Sequence, residues 1–238
     1  MDRVVLVHGS VTGGAATWGA VASTLSGRWH VVVVERPGFP PGPPVERVDF
    51  EDDAVLVAAA LADGAHLVGH SYGGVVSLLA AALRQDAVRS LTVIEPPAMG
   101  VARGVPAVDE FVEAGERLWH DGPTDDPEAF LRTFLRAVGS SFEPPSPLTP
   151  ELEQGARTLI VERAPWTARI PLDELAATPF PKLVVSGAHH PAFDAVCDVL
   201  QERLGAERLV LPGAGHSVQR APGFDERLGD FLTRASAS

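Results

Sequence analysis

One serine stands in a setting that gives it chemistry. Residues 69–73 read Gly69-His70-Ser71-Tyr72-Gly73, a G-x-S-x-G pattern between an apolar run, His66–Gly69, and a helical stretch, Gly73–Arg84. A serine projects its hydroxyl above a sheet only from a strained strand-to-helix turn. The flanking glycines, with Gly74 beyond them, let strand and helix approach closely enough to make that turn. Without such a context the pentapeptide reads only as a glycine-rich turn. The hydroxyl is a weak nucleophile and needs a base. Of the 8 histidines, His216 is the candidate: Pro212-Gly213-Ala214-Gly215-His216 follows the last apolar run, where a side chain can overhang the same edge. His8 beside Gly9 reads as a structural residue, and His70 is expected to point away from the elbow. His30, His66 and His120 read as strand-end or surface residues. An acyl-transfer intermediate also needs two preorganised N–H donors for its oxyanion. Tyr72, the residue after the serine, offers one. Ser10 or Val11, in the loop His8-Gly9-Ser10-Val11-Thr12-Gly13-Gly14, offers the other.

The elements that must position these groups alternate regularly. Val4–Val7, Val31–Val34, His66–Gly69, Leu91–Ile94, Leu183–Ser186 and Leu209–Leu211 read as short buried strands. Ala15–Ser26, a stretch from Glu51 to Asp63, Gly73–Arg84, Phe193–Leu204 and Phe224–Arg234 read as helices between or after them. Glu51, Asp52 and Asp53 sit at the positive end of the second helix, and Gly64 can end it. Strands alternating with helices predict an α/β fold with a parallel sheet covered on both faces. From about Met99 to Thr178 the strands stop. Val108–His120, Pro127–Val138 and Pro150–Ala164 read as amphipathic helices, with a rigid Pro144-Pro145-Ser146-Pro147 link between two of them. This block reads as an insertion folded over one edge of the sheet.

Taken together, these features resemble the α/β-hydrolase fold superfamily. His8-Gly9 follows the first strand, and Arg36-Pro37-Gly38-Phe39 follows the second. The elbow stands at Ser71, a helical block follows Glu95-Pro96-Pro97, and Gly213-Ala214-Gly215-His216 comes near the end. They occur in the family's order and span nearly the whole chain. The resemblance implies a six-stranded, all-parallel sheet flanked by helices, with the second strand at one edge and a helical cap inserted after the fourth strand. It divides the chain into a core, residues 1–98 and 179–238, and a cap, residues 99–178. It also implies that the family's usual two leading strands are missing.

The resemblance exposes a gap in the pattern. The family usually carries its acid in the loop after the penultimate strand. Here that loop reads Gly187-Ala188-His189-His190-Pro191, with His190 where an aspartate would stand. Without an acid nothing fixes the tautomer of the base or stabilises its imidazolium. Three readings follow. Glu95, at the end of the fourth strand, can carry the role, as in some members of the fold, or it can be a hinge residue hydrogen-bonded to cap backbone. Asp194 can carry it, or can serve the first turn of its helix. The chain can also lack an acid and be a weak enzyme or a non-catalytic ligand-binding protein. Adjacent His189 and His190 read as surface or cap-contact residues. No carboxylate or third histidine stands at metal-ligand spacing beside them, so no metal is expected.

Composition narrows the classes. With 19 basic and 31 acidic residues the formal charge is −12, which disfavours nucleic acid and anionic membrane as partners. The single cysteine, Cys197, permits no intrachain disulfide and reads as a small core residue. A reducing, cytoplasmic setting is therefore expected, and Met1-Asp2-Arg3 leading straight into the first strand does not read as a signal peptide. Lys182, the only lysine, follows Phe180-Pro181 and not a glycine-rich loop. The loop after the first strand lacks G-x-G-x-x-G, so a dinucleotide site is not expected. The expected function is a cofactor-free serine hydrolase, monomeric or homodimeric. It would cleave an ester, lactone or thioester of a small-to-medium apolar substrate, with activity rising as His216 loses its proton near or above a pKa of about 6.5. C–C bond hydrolysis and perhydrolysis remain open on the same residues.

Overall fold

Runs of valine and leucine that bury both faces supply the strands, as a parallel sheet requires. The computed structural model describes residues 1–237. Six strands form one sheet: β1 (Arg3–Val7), β2 (His30–Val34), β3 (Ala65–His70), β4 (Val88–Ile94), β5 (Lys182–Ser186) and β6 (Glu207–Val210). Their order is β2-β1-β3-β4-β5-β6, with every neighbouring pair parallel and β2 at an edge, as expected.

Side chains alternate between the two faces with the period of two that a strand imposes. Val4 and Leu6 join the cluster formed with α1 (Gly14–Leu25) and α9 (Phe224–Ser236), where Trp18, Leu25 and Phe231 are buried. Val5 and Val7 face the opposite cluster, built on α2 (Phe50–Ala60), α3 (Tyr72–Leu83) and α8 (Pro191–Leu204). Cys197 of α8 is fully buried there. β4 begins at Val88, earlier than the apolar run alone marks it.

Between β4 and β5 lie α4 (Pro106–Asp121), α5 (Pro127–Ala137), α6 (Pro150–Ile160) and the short α7 (Leu172–Ala176). α4, α5 and α6 start with proline in the first turn, where its missing N–H costs nothing. Asp126 and Thr149 cap α5 and α6, accepting from the N–H groups of Ala129 at 3.0 Å and Leu152 at 3.3 Å. Leu118, Phe130, Leu131, Ala156 and Leu159 give these helices a small core of their own, which also takes in Val11.

Three readings need correction. α6 stops at Ile160 and does not reach Ala164, because the chain leaves the helix to pair with Val48: Val48 N–H donates to Val161 O at 3.1 Å, and Arg163 N–H to Val48 O at 2.8 Å. α2 ends at Ala60, before Asp63, and one of its three acids, Asp53, turns into the protein interior. His66 is no surface residue. It is fully buried, with its ring nitrogens 2.8 Å from Ser90 Oγ and 3.0 Å from Ser236 Oγ, and so ties β3 to β4 and α9. Among the described residues no helix is long and apolar enough to cross a membrane.

The junction of β3 and α3 is closely packed at the elbow. A β-carbon at Gly69 would come within 2.3 Å of both Gly73 O and Ser77 Oγ, and one at Gly73 within 2.4 Å of His8 O. The Ser77 hydroxyl could rotate aside, but the backbone carbonyls of Gly73 and His8 cannot. Gly73→Ala is expected to cost about 1–3 kcal/mol in urea unfolding. Gly19→Ala, in α1 with nothing within 4 Å of the added carbon, should instead be neutral or stabilise by up to about 1 kcal/mol. Equal effects of the two substitutions would contradict the close-packing account.

Candidate active site

Parallel register puts the serine and a glutamate side by side. His70 of β3 pairs with Ile94 of β4, so the next residues, Ser71 and Glu95, leave the same edge as neighbours. Ser71 N–H donates to Ile94 O at 2.9 Å, and Glu95 N–H to Val185 O on β5 at 3.0 Å. Among the described residues five non-glycines have positive φ. Four of them stand where strands leave this edge: Val11 (76°), Ser71 (53°), Glu95 (51°) and Ala188 (51°). Such backbone costs on the order of 1–3 kcal/mol per residue and persists only where surrounding packing holds it. The strain is concentrated on one rim of the sheet.

That rim brings three predicted residues together. His216, in the loop after β6, has Nε2 at 2.9 Å from Ser71 Oγ and Nδ1 at 3.4 Å from Glu95 Oε2. Glu95 is fully buried, and its Oε1 accepts the Gly187 N–H at 2.6 Å. Burial alone would raise its pKa. His189, His216 and the Gly187 N–H around the carboxylate outweigh that and hold it at about 2, so it is ionised at neutral pH. The hinge reading of Glu95 is therefore replaced by a carboxylate facing His216.

Asp194 does not share this place. Its side chain lies toward Arg208, with Oδ1 at 3.9 Å from Nη2. The start of α8 is instead capped by His190, whose Nδ1 accepts from Ala192 N–H at 3.2 Å.

Two histidines have duties that the sequence reading missed or misplaced. His70 does not point away from the site. Its Nε2–H donates to the carbonyl of His216 at 2.9 Å, and Gln219 Nε2 approaches its Nδ1 at 3.4 Å. Burial and the neighbouring His216 push its pKa down to about 3, so it stays neutral and pins the His216 loop. His189 makes the expected contact with the inserted helices, its Nε2–H donating to Val138 O at 3.0 Å, but its Nδ1 also lies 3.4 Å from Glu95 Oε2. A carboxylate and a third histidine thus do accompany His189, contrary to the sequence reading; the backbone supplies them from other strands. His8 behaves as expected: its Nδ1–H donates to Gly9 O at 2.8 Å and its Nε2 accepts the Arg36 N–H at 3.0 Å.

The loop after β1 is held from behind by a buried charge. The Arg36 guanidinium donates to Asp53 Oδ2 at 2.7 Å, to Gly9 O at 2.9 Å and to Glu162 Oε1 at 2.8 Å, and it lies 4.2 Å from the Tyr72 ring centroid. The other oxygen of Glu162 accepts the Ser10 hydroxyl at 2.5 Å. Burial raises the pKa of both Asp53 and Glu162, and Arg36 opposes that rise. The Ser10 side chain is thereby committed. Among the described residues the backbone N–H groups of Ser10, Val11 and Tyr72 donate no hydrogen bond to another part of the backbone.

Two small cavities meet at the serine. One, of about 100 Å³, is lined by Val11, Ser71, Phe134, Val138 and His216. The other, about 30 Å³, reaches from Ser71 under Phe111, Trp119, Trp166 and Phe193. Both walls are mainly apolar, and the space suits a small group.

Comparison with known proteins agrees with the fold. The profile described as "Alpha/beta hydrolase family" matches residues 4–224. A pimeloyl-acyl-carrier-protein methyl ester esterase of Aeromonas hydrophila is 30% identical over 179 residues, 73% of this chain and 64% of that protein. The dihydrolipoyllysine-residue acetyltransferase component of the acetoin cleaving system of Pseudomonas putida is 31% identical over 228 residues, 91% of this chain and 59% of that protein. The chain thus spans less than two thirds of the length of these curated relatives. NosK from Streptomyces actuosus superimposes with a TM-score of 0.63 at 26% identity, covering 99% of both chains.

Removing the buried cation tests the network. Arg36→Leu leaves Asp53 and Glu162 buried without their partner and is expected to cost about 3–5 kcal/mol at pH 7. In that variant both carboxyl groups have raised folded-state pKa values. The folded state then binds protons that the unfolded state does not, so the deficit should shrink as pH falls toward about 5. A deficit in urea unfolding that stays constant between these pH values would contradict this account.

Proposed function

The chain belongs to the alpha/beta hydrolase family, and on that premise we propose that it is a serine hydrolase cleaving small apolar esters, or the related lactones and thioesters, through an acyl-enzyme. The observation that carries this reading is the line Ser71 Oγ, His216 Nε2, His216 Nδ1, Glu95 Oε2, with separations of 2.9 and 3.4 Å across the polar contacts. In the active tautomer His216 Nδ1–H donates to ionised Glu95, leaving the Nε2 lone pair free to take the Ser71 proton as Oγ attacks the carbonyl carbon. The oxyanion that forms is held by the N–H of Tyr72, at the positive end of α3, and by the N–H of Ser10 or Val11. His216 then gives its proton to the leaving oxygen or sulfur. Water adds to the acyl group by the same steps in reverse roles and frees the serine. Glu95 is the acid in this reading, relocated from the loop that now carries His190.

Residues 99–178 act as the cap over residues 1–98 and 179–238. Its aromatic residues supply the apolar wall, and Glu162 braces the loop that carries Ser10. The relatives support ester chemistry as a class: one is a methyl ester esterase by name. The modest cavities favour a short acyl or alkyl group near the serine.

Purified protein should hydrolyse p-nitrophenyl acetate or butyrate and should be labelled by a fluorophosphonate probe. Ser71→Ala should abolish both, with unfolding unchanged. Glu95→Gln should lower kcat on the order of 10⁴-fold with little change in KM, since the carboxylate orients the base and stabilises the imidazolium. Labelling that fails at neutral pH, or persists in Ser71→Ala, rejects the nucleophile and favours a ligand-binding protein on the same fold.

A further inference from the structure

We propose that Glu95, His189 and His216 form a reversible Zn²⁺ site that shuts off the Ser71 centre. The inhibitory half of this inference rests on the reading of His216 as the base; the binding half does not.

The donors are those of a zinc centre, one carboxylate oxygen and two imidazole nitrogens. They come from three places on the sheet rim: the end of β4, the loop after β5 and the loop after β6. Their spacing fits. The donor atoms all lie within 4.8 Å of one another, and Glu95 Oε2 is 3.4 Å from His189 Nδ1 and 3.4 Å from His216 Nδ1. A tetrahedral ion with bonds of about 2.1 Å holds neighbouring donors about 3.4 Å apart.

The surroundings already orient these donors. His189 gives its Nε2–H to Val138 O, which leaves Nδ1 as the coordinating nitrogen. Metal-bound histidines almost always donate their other ring N–H in this way. Gly187 N–H holds Oε1 of Glu95, and His70 holds the carbonyl of His216. The independent sign of a missing partner is His189 Nδ1 itself, a buried nitrogen without a hydrogen bond, aimed at a carboxylate. In the neutral tautomer that Val138 selects, a lone pair faces a negative oxygen. Only a cation between or on them, a proton or a metal ion, makes that contact favourable.

Zinc and catalysis exclude each other here. As a base, His216 must carry its proton on Nδ1 and offer the Nε2 lone pair to Ser71. A metal ion on Nδ1 takes the lone pair there and moves the proton to Nε2, which then faces Ser71 Oγ as a donor. The serine loses its base, and Glu95 is committed to the ion. No bond other than the coordinate ones forms, and a proton held by His189 passes to solvent.

The test separates binding from activity. In the Ser71→Ala protein, equilibrium dialysis with Zn²⁺ should give one ion per chain, and Co²⁺ in its place should show the intense visible bands of a tetrahedral site. His189→Ala and His189→Gln in that background should each weaken Zn²⁺ at least 10-fold while melting cooperatively. Hydrolysis by the wild-type chain should fall over the same Zn²⁺ range and return with EDTA. No stoichiometric ion in Ser71→Ala at millimolar Zn²⁺ overturns the proposal. So does unchanged affinity in both His189 variants, or hydrolysis that persists in zinc-loaded protein. A chain that hydrolyses no ester yet binds Zn²⁺ through His189 keeps the site and removes the proposed function instead.

Discussion

A single buried guanidinium sets the terms for the rest of the molecule. Arg36 leaves the end of β2 and reaches a carbonyl of the β1 loop, an acid of α2 and an acid just past α6, all within 2.9 Å. Charges taken out of water are tolerated only when each partner is placed well. Four segments distant in sequence must therefore arrive together or not at all. Tyr72 lies against the same cation, and its hydroxyl donates to Arg163 O at 3.1 Å. The inserted helices and the loop around Ser10 are in this way parts of one rigid corner, although some 150 residues separate Ser10 from Glu162 along the chain.

The sheet does the remaining positioning by register alone. Parallel pairing carries β3, β4 and β5 to one rim, and each strand leaves it through a left-handed residue, Ser71, Glu95 or Ala188. A glutamate on the strand next to the serine needs no long loop to reach the histidine. The β5 loop places His189 against Glu95 while His190 caps α8.

Much of this was legible in the chain. The glycines around Ser71, the β-branched runs and the Gly213-Ala214-Gly215-His216 turn each carry a local steric signature, and local signatures survive in one dimension. Glu95 was legible only as a candidate, because its nearness to His216 follows from strand register and not from spacing. Glu162, Asp53 and His70 were not legible as site residues. None carries a local signature of its role, and the meaning of each arises from partners 17 to 152 residues away. The early end of α6 was hidden for the same reason, since it depends on Val48. Buried polar networks leave no periodic trace, and this fold keeps its closest couplings in them.

One residue of α6 shows how such a coupling can still mark the sequence. A β-carbon at Gly155 would stand 1.8 Å from the carbonyl oxygen of Val11. Glycine within a helix sacrifices about 1 kcal/mol against alanine, and here that sacrifice lets the helix backbone rest directly on the loop behind the serine. The two surfaces touch without any side chain between them, so they cannot slide apart by a rotamer change. A glycine in the middle of an otherwise amphipathic helix is thus a fingerprint of docking: it marks, in one letter, the point where the inserted helices press on the loop after β1.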